Sequence, residues 1–354
     1  MTLERLPERH SGKTYADVKR RFPAILAIAL AISSFEAAEA SNRLGRFFGA
    51  DSPWNQRLPR RPRLANASQS IIDFTWSQGD GIVHTPRIGG ADYGFPVYYG
   101  RANDPLVRIH CREAWGRCAI EGRLVRIPAA ARPAAGSDSH LTVVNDSTSF
   151  ELYEAPLGPY RSGPLTIGYG TAIKDIARDS GWPGPGVTAA GASTLGGRVP
   201  LSELRSGHIR HAIALATACS TAGNVAPATA SASQECNGES APDAAPLGSR
   251  FWLDLTPKQI ARLHLSRMST TLLDALHEYG AFMTDTNGES ATIDLRNVPE
   301  SPTSNPDVIA YFRTYAMPVA WRPGQYESDL RTLPTQFWLR HLHVVAPCVT
   351  TRRC

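Results

Sequence analysis

The segment that decides the fold reads His140-Leu-Thr-Val-Val144, then Asn-Asp-Ser-Thr-Ser, then Phe150-Glu-Leu-Tyr-Glu154. Two runs rich in β-branched and aromatic residues flank five residues of the types that favour turns. The pattern predicts a β-hairpin whose loop has five residues and is centred on Ser147.

The predicted pairing brings three ionisable side chains together. With Ser147 at the centre, His140 faces Glu154 across the hairpin. Side chains alternate along a strand, so Asp138 lies on the same face if the strand extends that far back. Two carboxylates and an imidazole are suited to acid–base catalysis, and Asp138, His140 and Glu154 are the predicted catalytic residues. The alternative is a His–Glu surface pair without a catalytic role, and a register slip of one residue would dissolve the cluster.

Strand-like runs dominate the rest of the chain. The 27 prolines and 29 glycines imply many turns, which favours short strands over long helices. The clearest helix has apolar residues at steps of three and four from Met268 to Tyr279, followed by Gly280 as a left-handed cap. A shorter helix is predicted with Thr256 as its N-cap, and residues 337–345 are predicted as a strand. The predicted fold class is therefore mainly β, with one or two packed helices.

The chain begins with features of an export signal. Lys19-Arg20-Arg21 precedes an apolar run over residues 22–32, and Ala38-Glu39-Ala40 follows. The run is too short to span a bilayer, so we predict a signal peptide over 1–40 and a secreted or periplasmic protein. Residues 41–70 are predicted to form an extended arm held by Trp54. Residues 71–354 are predicted to form a single β-rich domain with an exposed, disordered-like insertion at 219–247.

Charge and composition narrow the classes of partner. The first 40 residues hold six of the 37 Lys and Arg and five of the 32 Asp and Glu, so the remainder carries a net charge of +4. Without a basic stripe interleaved with aromatic residues, no nucleic-acid partner is predicted. No later segment is apolar enough to span a membrane, and no nucleotide fingerprint or cofactor motif is present.

Six cysteines follow the predicted signal, in three sequence-local pairs. Export, an even count and close spacing favour three disulfides, although six cysteines permit 15 connectivities. A zinc site is disfavoured because no Cys-x-x-Cys spacing occurs. The predicted pairs are Cys111 with Cys118, Cys219 with Cys236, and Cys348 with Cys354.

A loop rich in glycine and proline, residues 181–194, is the second candidate site. Small residues would let a ligand approach the backbone, and Trp182 would offer a flat face to a sugar ring. Tight packing of a surface loop is the alternative. Ser193 does not lie in a Gly-x-Ser-x-Gly motif, which disfavours a serine hydrolase. The predicted substrate-binding residues are Tyr153, Trp182, Thr188, His211 and Asp285.

Two histidine pairs have metal-ligand spacing. His208 and His211 would share a helix face, but Gly207 before them favours a turn instead. His341 and His343 would share a strand face, without a third ligand in view. We therefore predict no metal and no cofactor.

Several motifs occur together in a fixed order: Asp51-Ser-Pro-Trp-Asn55, Gly136-Ser-Asp-Ser-His140, Leu152-Tyr-Glu154, Thr188-Ala-Ala-Gly191 with Gly196-Gly197, Gly207-His-Ile-Arg-His-Ala212, Leu247-Gly-Ser-Arg-Phe251, and Tyr279-Gly280 followed by Asp285 and Gly288. In this respect the chain resembles a widespread family of exported bacterial proteins to which no activity is assigned. The resemblance covers about residues 48–295. It implies an all-β body resembling a jelly roll, that is, an antiparallel β-sandwich, with a helix packed on it, and it implies no catalytic residue.

Two functional hypotheses follow from these residues. The first is an exported carbohydrate-active protein that cleaves a polysaccharide as a glycoside hydrolase or a lyase, using Asp138, His140 and Glu154. The second is a non-catalytic surface module that binds glycan or cell-envelope material. Glycosidases use two carboxylates, whereas a lyase needs a base such as His or Tyr beside a uronate.

Overall fold

The structure is a computed structural model that describes residues 47–78, 86–88, 93–113, 115–230, 236, 241–288, 293–296, 306–315, 317–318 and 326–354. The chain divides into two units, Met1–Leu44 and Gly45–Cys354, and all described residues belong to the second. The predicted signal peptide and its cleavage site lie outside the described residues. Among the described residues, no helix combines the length and hydropathy that a membrane span needs.

The described residues contain fifteen short strands. In chain order they are β1 (Arg87–Ile88), β2 (Val97–Tyr99), β3 (Leu106–Cys111), β4 (Leu124–Arg126), β5 (Leu141–Asn145), β6 (Thr148–Tyr153), β7 (Gly163–Ile167), β8 (Tyr169–Ile173), β9 (Ile213–Thr217), β10 (Arg250–Leu253), β11 (Ala281–Thr286), β12 (Ile293–Arg296), β13 (Met317–Pro318), β14 (Tyr326–Glu327) and β15 (Leu342–Val345).

The strands form sheets of six, four, three and two strands. Their orders are β1-β12-β9-β11-β10-β15, β2-β5-β6-β8, β4-β3-β7 and β13-β14. The first three sheets are mixed, since β1–β12, β9–β11, β2–β5 and β3–β7 are parallel pairs. The fold is β-rich, as predicted, but its sheets are not purely antiparallel, and a jelly-roll sandwich is not confirmed.

In the described part of the chain, seven short α-helices accompany the sheets, and two 3-10 helices lie at Pro53–Asn55 and Asp329–Thr332. The α-helices are α1 (Ser68–Ser77), α2 (Leu201–Ser206), α3 (Pro257–Ala261), α4 (Arg267–Glu278), α5 (Pro306–Tyr315), α6 (Thr335–His341) and α7 (Pro347–Thr350). Helix α4 follows the predicted pattern, because Met268, Leu272 and Leu276 are buried. Gly280 beyond it has φ 70°, where an added Cβ would lie 2.5 Å from the Phe251 carbonyl oxygen. Thr256 caps α3 in a reciprocal capping box, as predicted.

Two main apolar cores result. The smaller one lies between the four-stranded and three-stranded sheets, where Leu141, Val143, Phe150 and Leu152 pack in one cluster with Ile109 and neighbouring residues. The larger core surrounds the six-stranded sheet and includes buried residues of α1, α4 and α6. The face of the hairpin β5–β6 that carries Thr142 and Glu151 points away from the smaller core, because side chains alternate along each strand.

The end of the chain differs from the prediction. Residues 337–345 were predicted as one strand, but helix α6 occupies residues up to His341 and only β15 is extended. Trp338 is fully buried on α6 and stacks on Trp76 of α1, with ring centroids 5.8 Å apart. Helix packing therefore overrides the β-propensity of the aromatic residues here.

All three predicted disulfides are present, joining Cys111 to Cys118, Cys219 to Cys236, and Cys348 to Cys354. The second lies in the predicted insertion, residues 219–247. Parts of this segment are packed and not exposed, because Cys219, Cys236, Ala241 and Ala244 form a small buried cluster. Residues 231–235 and 237–240 of it lie outside the described residues.

The N-terminal arm is fixed to the body by Trp54, as predicted. Trp54 is 1% exposed. Its indole stacks on that of Trp182, with ring centroids 5.2 Å apart, and makes an edge-to-face contact with the ring of Phe282, with centroids 5.1 Å apart. The arm is shorter than expected, however, because helix α1 begins at Ser68 within the stretch predicted as extended.

We expect Trp54→Ala to lower the free energy of unfolding by about 3–5 kcal/mol, because it removes a buried indole and leaves a cavity. Denaturant titration followed by circular dichroism measures this change. Trp115→Ala is the matched control, since Trp115 is 59% exposed. Similar losses for the two variants would contradict the anchoring role of Trp54.

Candidate functional site

The hairpin register differs from the prediction by one position. Strands β5 and β6 pair Asn145 with Thr148, Val143 with Phe150, and Leu141 with Leu152. The loop therefore has two residues, Asp146 and Ser147, and not five. Asp146 adopts φ 53°, a left-handed conformation that aspartate tolerates and that tight hairpin turns require.

This register removes Glu154 from the predicted catalytic cluster. Continuing the pairing places His140 opposite Tyr153, and the two ring centroids are 5.5 Å apart. Glu154 has left the strand with φ 51°, and its carboxylate pairs with the guanidinium of Arg112. The prediction that His140 faces Glu154 is thus wrong, because the turn is shorter than its composition suggested.

His140 and Asp138 nevertheless lie together. The Nε2 atom of His140 is 3.7 Å from a carboxylate oxygen of Asp138, whose side chain is 34% exposed. The imidazole itself is buried between Phe95, at a centroid distance of 4.6 Å, and Tyr153. Its Nδ1 atom has no hydrogen-bond partner among the described residues. The buried imidazole of His140 can therefore position the partly exposed carboxylate of Asp138 and favour its charged form.

A second carboxylate comes from the six-stranded sheet. Asp285 lies near the end of β11, directly after an irregularity in the pairing of β11 with β9. Such bulges change the direction of a side chain and are frequent beside active sites. Asp285 interacts electrostatically with His140, Asp138 and Arg296. Of the predicted substrate-binding residues, Asp285 and Tyr153 are therefore the two that the structure brings to the Asp138–His140 pair.

The pKa values of the two carboxyl groups are shifted in opposite directions. Interaction with His140 lowers the pKa of Asp138, and the charge of Arg296 acts in the same direction. Burial raises the pKa of Asp285, against the opposing effects of Arg296 and His140. Opposite shifts in neighbouring carboxyl groups are the arrangement that separates a general acid from a base.

Arg296 is the cation shared by this site. Its side chain is 3% exposed and donates to the carbonyl oxygens of Tyr93 at 2.9 Å and Thr286 at 3.1 Å. Asp294 lies two residues before it on β12, and burial raises the pKa of that carboxyl group. No local pattern in the sequence identifies Arg296, because the order of β12, β9 and β11 in the sheet brings it near Asp285.

A third carboxyl group, Glu151, serves a structural role that sequence analysis also missed. It is fully buried, opposite Thr142 in the hairpin. Ser193 Oγ donates to one carboxyl oxygen, and the Thr194 N–H donates to the other at 2.9 Å. Burial raises the pKa of Glu151 to about 7, while these donors act to lower it. Glu151 thus fixes the loop at residues 181–197 to the hairpin.

The predicted ligand role of this loop does not match its surroundings. Trp182 is 6% exposed and covered by Trp54, so it offers no free face to a sugar. Thr188 is buried and donates to the Ala192 carbonyl oxygen at 2.8 Å. At Gly196 an added Cβ would lie 2.4 Å from the indole of Trp54. The small residues of the loop therefore leave room for other side chains of the protein, such as Trp54, and not for a ligand.

The histidine pairs are also separated. Gly207 ends α2 with φ 75°, as the turn prediction required. His208 is exposed, whereas His211 is buried and lies 2.9 Å from Glu203. His341 ends a helix and His343 lies in a strand, so the predicted shared strand face is wrong. Among the described residues, no group of three His, Cys, Asp or Glu side chains could share a metal ion.

Glu151 predicts a pH dependence of stability. Its pKa is about 7 in the folded state against an ordinary 4.5, so folding favours the protonated form. The resulting stability is complete below about pH 4.5 and is lost as the pH rises to 7. We expect the wild type to lose about 3 kcal/mol relative to Glu151→Gln between pH 4.5 and 8.

Denaturant titrations of both proteins across this pH range measure the difference. Glu121→Gln is the control, because Glu121 is an exposed glutamate whose pKa is lowered. Parallel stability curves for wild type and Glu151→Gln would contradict the assignment.

Comparisons with models of known protein families, with characterised proteins and with solved structures give no match to this chain.

Proposed function

We propose that this protein is an exported carbohydrate-active enzyme that hydrolyses the glycosidic bonds of a polysaccharide. The observation that supports this most directly is the pair Asp138 and Asp285, two interacting carboxyl groups whose pKa values are shifted in opposite directions. Glycosidases use such a pair, one group as the acid and the other as the base or nucleophile.

In the proposed reaction, protonated Asp285 donates its proton to the glycosidic oxygen as the bond to the anomeric carbon breaks. Ionised Asp138 stabilises the positive charge that develops on the sugar ring, and deprotonated Asp285 then removes a proton from the incoming water as the water oxygen bonds to the anomeric carbon. His140, which is 1% exposed, acts as a positioning residue that keeps Asp138 charged. Asp285 regains its proton when water completes the reaction.

Two observations favour hydrolysis over lyase chemistry. A lyase would use Tyr153 or His140 to remove a proton from a uronate. Burial and the charge of Asp138 raise the pKa of Tyr153 to about 12, which opposes formation of the phenolate base. The imidazole of His140 is buried, so it does not reach a substrate directly.

Export is part of the proposal. Three disulfides are typical of proteins that work in an oxidising compartment, and the first 40 residues have the pattern of a signal peptide. Polysaccharide substrates are found in that compartment.

The proposed activity predicts that Asp138→Asn and Asp285→Asn each lower kcat by about 10²–10⁴-fold, the usual contribution of a general acid or base. Release of reducing ends from a panel of soluble polysaccharides measures this, with ultraviolet absorbance of unsaturated uronates as the lyase readout. Asp307→Asn is the control, since that carboxylate is 73% exposed on α5. Binding of a glycan without any wild-type turnover would favour a non-catalytic binding module.

The pH profile of kcat/KM provides a separate test. Activity requires Asp138 ionised and Asp285 protonated, so the profile should be bell-shaped. Arg296 lowers the pKa of both groups. Arg296→Gln should therefore move both limbs to higher pH, with folding checked by circular dichroism. An unchanged profile, or a shift to lower pH, would contradict the assignment.

A further inference from the structure

Trp115 is exposed where the other described tryptophans are buried. It is 59% exposed, whereas each of the other tryptophans in the described residues is at most 6% exposed. An indole with one free face is the usual platform for the apolar face of a sugar ring. Trp115 therefore has the property that sequence analysis had assigned to Trp182.

The position of Trp115 connects it to the candidate active site. Its ring centroid is 5.2 Å from that of Tyr153 and 5.9 Å from that of Tyr169. Tyr153 in turn contacts His140, whose Nε2 atom is 3.7 Å from Asp138. An aromatic path of two side chains thus leads from the surface to the proposed reacting groups.

The described residues on either side of Trp115, residues 111–113 and 115–118, are held in place from several sides. We call this segment the disulfide loop, because Cys111 and Cys118 close it. The hydroxyl of Tyr169 donates to the Arg117 carbonyl oxygen at 2.9 Å, and the Glu113 N–H donates to the Gly168 carbonyl oxygen at 3.0 Å. A loop fixed in this way loses little conformational entropy when it binds a ligand.

Glu154 acquires a role in this arrangement. The guanidinium of Arg112 pairs with Glu154 at the end of β6 and also with Glu113 inside the disulfide loop. The pair with Glu154 joins the loop to the end of the strand that carries Tyr153, whereas the pair with Glu113 lies within the loop. Glu154 is therefore a positioning residue for the loop and not a member of the acid–base pair.

We infer that Trp115 and Tyr153 form a subsite that binds one pyranose ring of a polysaccharide beside the Asp138–Asp285 pair, with the disulfide loop as its rigid support. The inference rests on the proposed function for the identity of the ligand. The stacked ring positions the chain so that its neighbouring glycosidic bond reaches the two carboxyl groups.

Kinetics on the full-length protein test this subsite. Trp115→Ala should raise KM by roughly three- to tenfold with kcat nearly unchanged, because stacking contributes equally to substrate and transition-state binding. Trp115→Phe should recover most of the loss. Glu154→Gln should raise KM by a smaller factor. Tyr99→Ala is the matched control, since Tyr99 is 45% exposed at the turn end of the same sheet.

Binding is measured separately from turnover. Iodide quenching of tryptophan fluorescence, with cello-, xylo-, chito- and polyuronate oligosaccharides as probes, should show protection of Trp115 in the Asp138→Asn variant and none after Trp115→Ala. If Trp115→Ala has the KM and the turnover of the wild type, the subsite proposal is wrong and the proposed function is unaffected. Sugar protection that depends on Trp115, without turnover of any glycan, would support the subsite and overturn the proposed hydrolase.

Discussion

The candidate site depends on the pairing of β5 with β6 through the two-residue turn at Asp146 and Ser147. A strand has a side-chain period of two, so this register decides which residues face the small core and which face the loop at residues 181–197. It places Thr142 and Glu151 on the inner polar face and puts Tyr153 opposite His140. Any other register would bury a different set of groups.

This arrangement buries ionisable side chains, which costs free energy. Hydrogen bonds and neighbouring opposite charges reduce that cost. Glu151 is satisfied by donors from the loop at residues 181–197. For Asp285 and Asp294 the compensating interaction is with the positive charge of Arg296, which lowers the pKa of both carboxyl groups. A protein interior keeps such groups only when they are paired or neutral, so raised carboxyl pKa values follow from the packing itself. The same burial that destabilises the charged carboxylate keeps a proton on Asp285, which the proposed catalysis requires.

Much of the fold could be predicted from local patterns. The capping of α3, the apolar face of α4, the anchoring by Trp54 and the three disulfides depend on residues close in sequence or on a single large side chain. The hairpin register was missed because Asn145 and Ser149 have turn-forming side chains yet pair in strands. The approach of Arg296 to Asp285 was missed because it depends on the order of three strands, which no local pattern contains.

Trp182 and Trp115 illustrate why local composition predicts an exposed binding residue less well than tertiary packing does. Trp182 lies in a loop of small residues that looks open to a ligand, yet Trp54 from a segment more than 120 residues earlier covers its face. Trp115 lies between two cysteines in an unremarkable stretch, yet closure of that loop holds its indole at the surface beside Tyr153. Exposure of an aromatic face is a property of what the rest of the chain leaves uncovered. The proposed sugar-binding role therefore rests on the tertiary arrangement around the disulfide loop, and the small residues of the other loop serve to admit Trp54.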